Sequence, residues 1–281
     1  MSKRHLVISG SFVALVLAAF VLFWLADVQP PWNSPVATTK SEPVIWVNKW
    51  KKPPARVRHL AFPSVAMGHK VGVSILPPAH QQPAPLIIFL HGRGGDETTD
   101  LPAFMSLMRK VVAVHGLPEP LVVFPNGGMT GYRSAMMEMI AEELLPYIEK
   151  HYRILPERRH RLVAGFSMGG GGAVRMVLQY PHLFGGAVSW GGGVWHRNAA
   201  LFESVTARGE LLRQLDPRFL LVNGSEDRPN GFLPLTEVFQ QVDVGYQRIT
   251  MDGVGHDMGV YLAGSTEMFA GFLRALWLET H

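Results

Sequence analysis

The stretch Arg161-Leu162-Val163-Ala164-Gly165-Phe166-Ser167-Met168-Gly169-Gly170 decides how the rest of the chain is read. An apolar run enters the pattern G-x-S-x-G at 165–169, and a helix-forming stretch, Ala173 to Gln179, leaves it. A strand that reverses into a helix within a few residues needs glycines beside the turning residue, because its strained dihedrals leave no room for neighbouring Cβ atoms. Ser167 would then stand at the carboxyl end of a strand with its hydroxyl exposed, as a nucleophile requires. The competing reading is a serine that merely caps the following helix.

Working outward, strands and helices alternate. Arg56–Phe62 and His69–Leu76 read as short strands, the second ending in Pro77-Pro78. Leu86–Leu90, Leu121–Phe124, Arg161–Ala164, Ala187–Trp190 and Phe219–Asn223 are apolar runs of the kind found in strands buried on both faces, and Gln247–Met251 reads as a further strand. Between them, Leu101–Val114, a long amphipathic segment from Ser134 to Tyr152, Pro234–Val242 and a closing segment Tyr261–Leu278 read as helices. The alternation predicts an α/β fold with a mostly parallel central sheet covered by helices on both faces. Ligands of such sheets bind outside the carboxyl ends of the strands.

A serine hydroxyl is a weak nucleophile until a base takes its proton, and the base needs an orienting acid. The strand Phe219–Asn223 runs into Gly224-Ser225-Glu226-Asp227, and Gln247–Met251 is followed by Gly253-Val254-Gly255-His256. The chain order is therefore Ser167, Asp227, His256, each just past a strand. Asp227 is preferred to Glu226 as the acid. Asp257, next to the base, is poorly placed to reach back to its ring. Leu86–Leu90 enters His91-Gly92-Arg93-Gly94-Gly95, a glycine-rich turn able to point backbone N–H groups inward. The N–H of Arg93, with that of Gly94 close behind, joins the N–H of Met168 as the candidate oxyanion site. His91 is read as a structural tie for this loop. Tyr132, Arg133, Trp190 and Trp195 follow strand ends and are candidates to line the substrate pocket.

Composition narrows the options. The 281 residues are 47% apolar, enough for a sizeable core, and contain no cysteine, which removes disulfides, thiolate metal sites and a cysteine nucleophile. None of the twelve histidines shows a metal-ligand spacing such as H-E-x-x-H, so no metal is expected. The net charge of +4 is unevenly spread. Residues 1–59 hold eight Lys/Arg against two Asp/Glu, and the remainder holds 18 against 20. The basic character thus belongs to the leader, and nucleic-acid binding is not indicated. Leu6 to Ala26 is 21 residues without a charge, preceded by Lys3, Arg4 and His5. This is the length of a membrane-spanning helix, with a positive flank that stays in the cytoplasm. No Ala-x-Ala-like site ends it, which favours an uncleaved signal-anchor over a cleaved signal peptide. The expected organisation is a cytoplasmic tip (1–5), a transmembrane signal-anchor (6–26), a Pro-rich basic linker (27–59) and a catalytic domain (60–281) on the non-cytoplasmic side. A cleaved leader would instead release it. Within the linker, Trp46, Trp50, Lys49, Lys51 and Lys52 fit either the bilayer surface or a solvated tether with a tryptophan tucked onto the domain.

Residues 60–281 resemble the esterase D, feruloyl-esterase and antigen 85 group of the α/β-hydrolases. The resemblance rests on H-G-R-G-G at 91–95, F-P-N-G-G at 124–128, E-E-L-L-P-Y-I-E-K-H-Y-R at 142–153, A-G-F-S-M-G-G at 164–170 and Y-P-H-L-F-G at 180–185. It continues through the acid at 227 and G-H at 255–256. It implies an acyl-ester hydrolase that needs no cofactor and takes a small-molecule, lipid or polymer ester. An acyltransferase with the same triad is the alternative, and a non-catalytic binding module of the same fold is a third. Two local departures accompany it. Gly169–Gly172 puts four glycines where the helix after the elbow should begin, predicting a loose start. The segment between Trp190 and Arg218 is short, leaving little room for a large lid.

Overall fold

A computed structural model describes residues 46–48, 50, 53–194 and 198–279. Its centre is one eight-stranded sheet in the order β1-β2-β4-β3-β5-β6-β7-β8, built from β1 (Arg58–Ser64), β2 (His69–Leu76), β3 (Leu86–Leu90), β4 (Leu121–Pro125), β5 (Arg161–Phe166), β6 (Gly186–Trp190), β7 (Arg218–Gly224) and β8 (Tyr246–Met251). β1 and β2 pair antiparallel, β2 runs antiparallel to β4, and every other neighbour is parallel. Strand alternation explains why the central runs are apolar throughout. Leu86, Ile88 and Leu90 of β3 pack into one hydrophobic layer, while Ile87 and Phe89 pack into the other.

The helices divide accordingly. They are α1 (Leu101–His115); α2, continuous through Ala135–Glu138, Met139–Leu144 and Leu145–His151; α3 (Met168–Gln179); α4 (Ala199–Ala207); α5 (Gly209–Leu215); α6 (Leu233–Val242); α7 (Met258–Gly264); and α8 (Thr266–Trp277). α2, α3 and α6 bury Met136, Ile140, Ile148, Val174, Val177 and Phe239 against one face. α1 and α8 bury Phe104, Val111, Phe269 and Leu273 against the other. Each fully buried side chain of this size contributes roughly 1.5–3 kcal/mol.

Three elements differ from the sequence reading. The middle of α2, Met139–Leu144, is wound as a π-helical turn. The closing helix is two helices broken at Ser265. There the buried hydroxyl accepts the Trp190 indole N–H (2.8 Å) and donates to the Tyr261 carbonyl (2.7 Å), so it serves a tertiary contact as well as its own helix. The segment between β6 and β7 carries α4 and α5, two short helices the periodicity did not reveal. The start of α3 is also tight rather than loose. All four glycines of 169–172 are buried and helical.

Val44–His281 forms one compact unit. Within it, Trp46 packs against the core and its ring meets that of His69 (4.4 Å between centroids). The Asn48 N–H donates to Glu97 (2.7 Å), and Val57 is buried. The end of the expected linker therefore lies on the domain, as in the tethered reading. Leu6–Ala26 and Lys49, Lys51 and Lys52 lie outside the described residues. Among those described, no helix is long and apolar enough to cross a membrane.

Candidate active site

Ser167 joins β5 to α3 with φ 54° and ψ −113°, a left-handed conformation that costs a non-glycine residue of order 1–3 kcal/mol. The strain is held by close backbone packing. A Cβ on Gly169 would lie 1.9 Å from the Leu90 carbonyl oxygen, so only glycine lets the first turn of α3 approach β3. The Ser167 N–H donates to the Trp190 carbonyl (2.8 Å), and the side chain makes no helix-capping bond. Instead its Oγ lies 2.9 Å from His256 Nε2. The capping reading is thereby set aside.

His256 Nδ1 lies 2.6 Å from Asp227 Oδ2. An acceptor carboxylate on that side places the imidazole proton on Nδ1 and leaves Nε2 free to accept from the serine hydroxyl. The ring stacks on Phe166 at 4.7 Å. Asp227 is buried, and its Oδ2 also accepts the Tyr261 hydroxyl (2.8 Å), which in turn accepts the Gly224 N–H (2.7 Å). Burial, and then the bond to Asp227, push the Tyr261 phenol well above its ordinary value, so it stays a donor. Glu226 is exposed and its side chain is not part of this chain of bonds. Asp257 accepts the Val260 N–H as the N-cap of α7 (2.9 Å). Arg228 Nη1 reaches the Gly191 carbonyl (3.1 Å) and Ser167 Oγ (3.4 Å).

The glycine-rich loop faces this array. Gly92 N–H is taken by Asp100 (3.2 Å) and Gly95 N–H by the Gly92 carbonyl (3.1 Å). Arg93 and Met168 line the cleft beside Ser167, whereas Gly94, at φ +79°, supplies the turn and does not line it. His91 ties the loop. It accepts the Gly127 N–H at Nε2 (2.8 Å) and therefore donates from Nδ1 to the Gly92 carbonyl (2.7 Å). Burial holds its pKa below the usual histidine value, in keeping with this neutral form.

The cleft over Ser167 has a volume of about 650 Å³ and is lined by Arg93, Met129, Arg133, Phe166, Met168, Arg175, Asn198, Arg228 and His256 among others. Of the four expected pocket residues, Arg133 is there. Tyr132 is not: it is fully buried, and its hydroxyl accepts the His91 N–H (2.9 Å). Its ring fills the space beside Gly127 and Gly172 that a Cβ would need. Trp190 is not either, since its indole is fully buried among Phe89, Phe104 and Phe269. Trp195 lies outside the described residues. Arg175, Arg228, Phe166 and Tyr261 were missed. For Arg175 a signal existed, because Met168, Gly171 and Arg175 follow the i, i+3, i+7 spacing of one helix face. Among the described residues no group of His, Asp and Glu is arranged to hold a metal.

The family model described as "Putative esterase" matches residues 64–276. Esterase Rv1288 of Mycobacterium tuberculosis is 31% identical over 151 residues, covering 49% of this chain and 32% of that protein. The chain thus matches about a third of that relative's length. Among solved structures, a ferulic acid esterase superposes with a TM-score of 0.67 at 21% identity, covering 79% of this chain and 97% of the other. The fluorophosphonate-binding serine hydrolase FphF of Staphylococcus aureus gives 0.65 at 18% identity, covering 77% and 97%. Those likenesses show the shared fold, and the family match over most of the described chain goes further: this protein belongs to the esterase family, on an α/β-hydrolase fold.

Proposed function

We propose that the protein hydrolyses carboxylic esters through an acyl-enzyme on Ser167. The observation that carries this reading is the continuous chain from Ser167 Oγ to His256 Nε2 (2.9 Å) and from His256 Nδ1 to Asp227 (2.6 Å), with the serine held at φ 54° over an open cleft. His256 takes the hydroxyl proton as Oγ bonds to the ester carbonyl carbon. The tetrahedral oxyanion is held by the N–H groups of Arg93 and Met168, and the proton passes from His256 to the departing alcohol. Water, deprotonated by the same imidazole, then attacks the acyl-serine, and the acid leaves. Asp227 remains ionised and stabilises the imidazolium, and Tyr261 fixes the carboxylate that does so. The domain works on the non-cytoplasmic side of a membrane, held by the span Leu6–Ala26; the support for this placement is the uncharged run and its basic flank in the sequence.

The test is covalent labelling. A fluorophosphonate probe should add once per chain, on the peptide containing Ser167, and abolish turnover of 4-nitrophenyl acetate in parallel. Labelling at another residue, or turnover that persists in the fully labelled protein, would overturn the assignment.

A further inference from the structure

We infer that the ester this cleft selects carries an anionic group, a carboxylate or a phosphate, held by Arg133 and Arg175 beside the nucleophile. The inference rests on the reading of Ser167 as the nucleophile and names the substrate class of that site.

Four arginines, Arg93, Arg133, Arg175 and Arg228, line one cleft, and no carboxylate lines it among the described residues. Outside the cleft some arginines do pair with carboxylates, as Arg161 does with Glu149 (2.6 Å) and Arg56 with Glu119 (3.0 Å). Arg228 is partly balanced by Asp227 (3.9 Å). Arg93, Arg133 and Arg175 have no ion pair with any described carboxylate. Among the described residues the Arg133 guanidinium reaches only the neutral Asn198 side chain, at 3.5 Å.

Arg175 is the most informative of the four. It is half-buried on α3, one Nη donates to the Gly131 carbonyl (3.0 Å), and among the described residues its buried Nε has no hydrogen-bond partner. A buried guanidinium donor without an acceptor is costly unless a ligand supplies one. Burial, and then the charge of Arg133, draw its pKa down to about 10, so two like charges are held together at the price of some stability. An anion relieves both the repulsion and the missing acceptor. The planar fork of arginine suits the paired oxygens of a carboxylate or phosphate. Gly171, beside this guanidinium, is required by the backbone, since a Cβ there would lie 2.8 Å from the Gly193 carbonyl oxygen.

The test compares matched esters on the full-length protein in detergent: 4-nitrophenyl butyrate against mono-4-nitrophenyl succinate, phenyl acetate against 4-acetoxybenzoate, and phenyl acetate against 4-acetoxyphenyl phosphate. Each rate is divided by that ester's own hydroxide-catalysed rate. The first pair places the anion on the acyl side, the second and third on the alcohol side, and the third separates phosphate from carboxylate. In at least one pair kcat/KM should favour the anionic ester by about tenfold or more. Arg133→Gln and Arg175→Gln should each cut that ratio by on the order of tenfold, and Arg133→Lys should keep most of it. Should Arg175→Gln disturb the loop at Gly131, Arg133→Gln alone still decides. A neutral ester turned over as well as its anionic partner in every pair, or a preference that survives both glutamine variants, overturns the inference and leaves the esterase reading intact. Absence of turnover of every ester together with absence of fluorophosphonate labelling overturns both.

Discussion

At the scale of single residues, the proposed mechanism separates groups that react from groups that aim them. Ser167→Ala should lower turnover by on the order of 10⁴–10⁶, and Asp227→Asn by on the order of 10⁴, because an amide in place of the carboxylate favours the wrong imidazole tautomer. Glu226→Gln should change little, since that side chain is exposed and outside the relay. If the two acid variants exchange behaviour, the chain of bonds through Asp227 is not the working one. Tyr261 offers a finer test. Its hydroxyl bridges the Gly224 N–H and Asp227 Oδ2, so Tyr261→Phe removes one donor from a buried carboxylate while keeping the ring. Losing such a charge-assisted bond costs about 1.5–3 kcal/mol in stability or positioning. The prediction is a drop in kcat of roughly tenfold or more, with KM for small esters little changed. The role of a positioning residue further requires that the acid limb of the pH–rate profile move in Tyr261→Phe. A variant that merely loses thermal stability while keeping kcat and its pH profile would make Tyr261 a core residue only.

At the scale of elements, close backbone approach and one buried histidine decide whether the catalytic end of the sheet forms. A Cβ on Gly169 would meet backbone rather than a movable side chain, so Gly169→Ala should cost about 3 kcal/mol or more and leave little folded protein. Gly271, inside α8 and exposed with nothing near its Cβ position, should show the opposite sign, with Gly271→Ala raising stability by roughly 0.5–1 kcal/mol. Equal effects in denaturant melts would overturn this packing account. His91 adds a pH dependence. Its neutral form is built into the loop, and burial holds its folded pKa below the ordinary histidine value of 6.5. Between those two values the unfolded chain binds the extra proton, so stability rises with pH there. The contribution of His91 is complete above about pH 6.5 and is lost as pH falls below it. Thermal melts of the wild type should therefore show a steeper decline below pH 6.5 than those of His91→Asn. The same elements show what the sequence disclosed. Every strand was legible within about two residues at either end; the central ones stood out because strands buried on both faces are continuous apolar runs between polar breaks. The order of Ser167, Asp227 and His256 was legible because each follows a strand. Tyr132 and Trp190 were misplaced because a strand-end position says nothing about which way a large aromatic turns. Both turn inward, where each meets a buried polar partner, the His91 N–H and the Ser265 hydroxyl respectively. The break at Ser265 was hidden for the same reason, since its cause is an indole 75 residues away.

At the scale of the whole molecule, the boundary between domain and leader has physical content. Trp46 and Asn48 are fastened to the domain, the tryptophan against the core and the asparagine to Glu97, which is itself fully buried and also accepts from Asn126 (2.7 Å). Glu97 follows the glycine-rich loop that carries Arg93. A fragment beginning at Val44 should therefore hydrolyse small activated esters at full-length rates, whereas one beginning at Arg56 should melt several degrees lower, having lost a hydrogen bond to a buried charge. Equal melting points would place the domain start later. The role proposed for the leader is location rather than chemistry. Its charge balance of +6 contrasts with −2 for the rest, so a basic surface patch and a hydrophobic span both offer routes to a membrane. The two respond differently to washing. Attraction of lysines to anionic lipid is screened within about 10 Å at 0.1 M salt, while burial of about twenty apolar residues in hydrocarbon is effectively irreversible. Full-length protein should remain in the membrane fraction through high salt and carbonate, and the Val44 fragment should leave it. Protease supplied to the non-cytoplasmic face should remove the domain and spare a short N-terminal stub. Elution by salt would assign membrane attachment to Lys49, Lys51 and Lys52 instead of Leu6–Ala26. A mature chain already lacking residues 1–26 would show that the apolar run is cleaved and that the esterase domain is released.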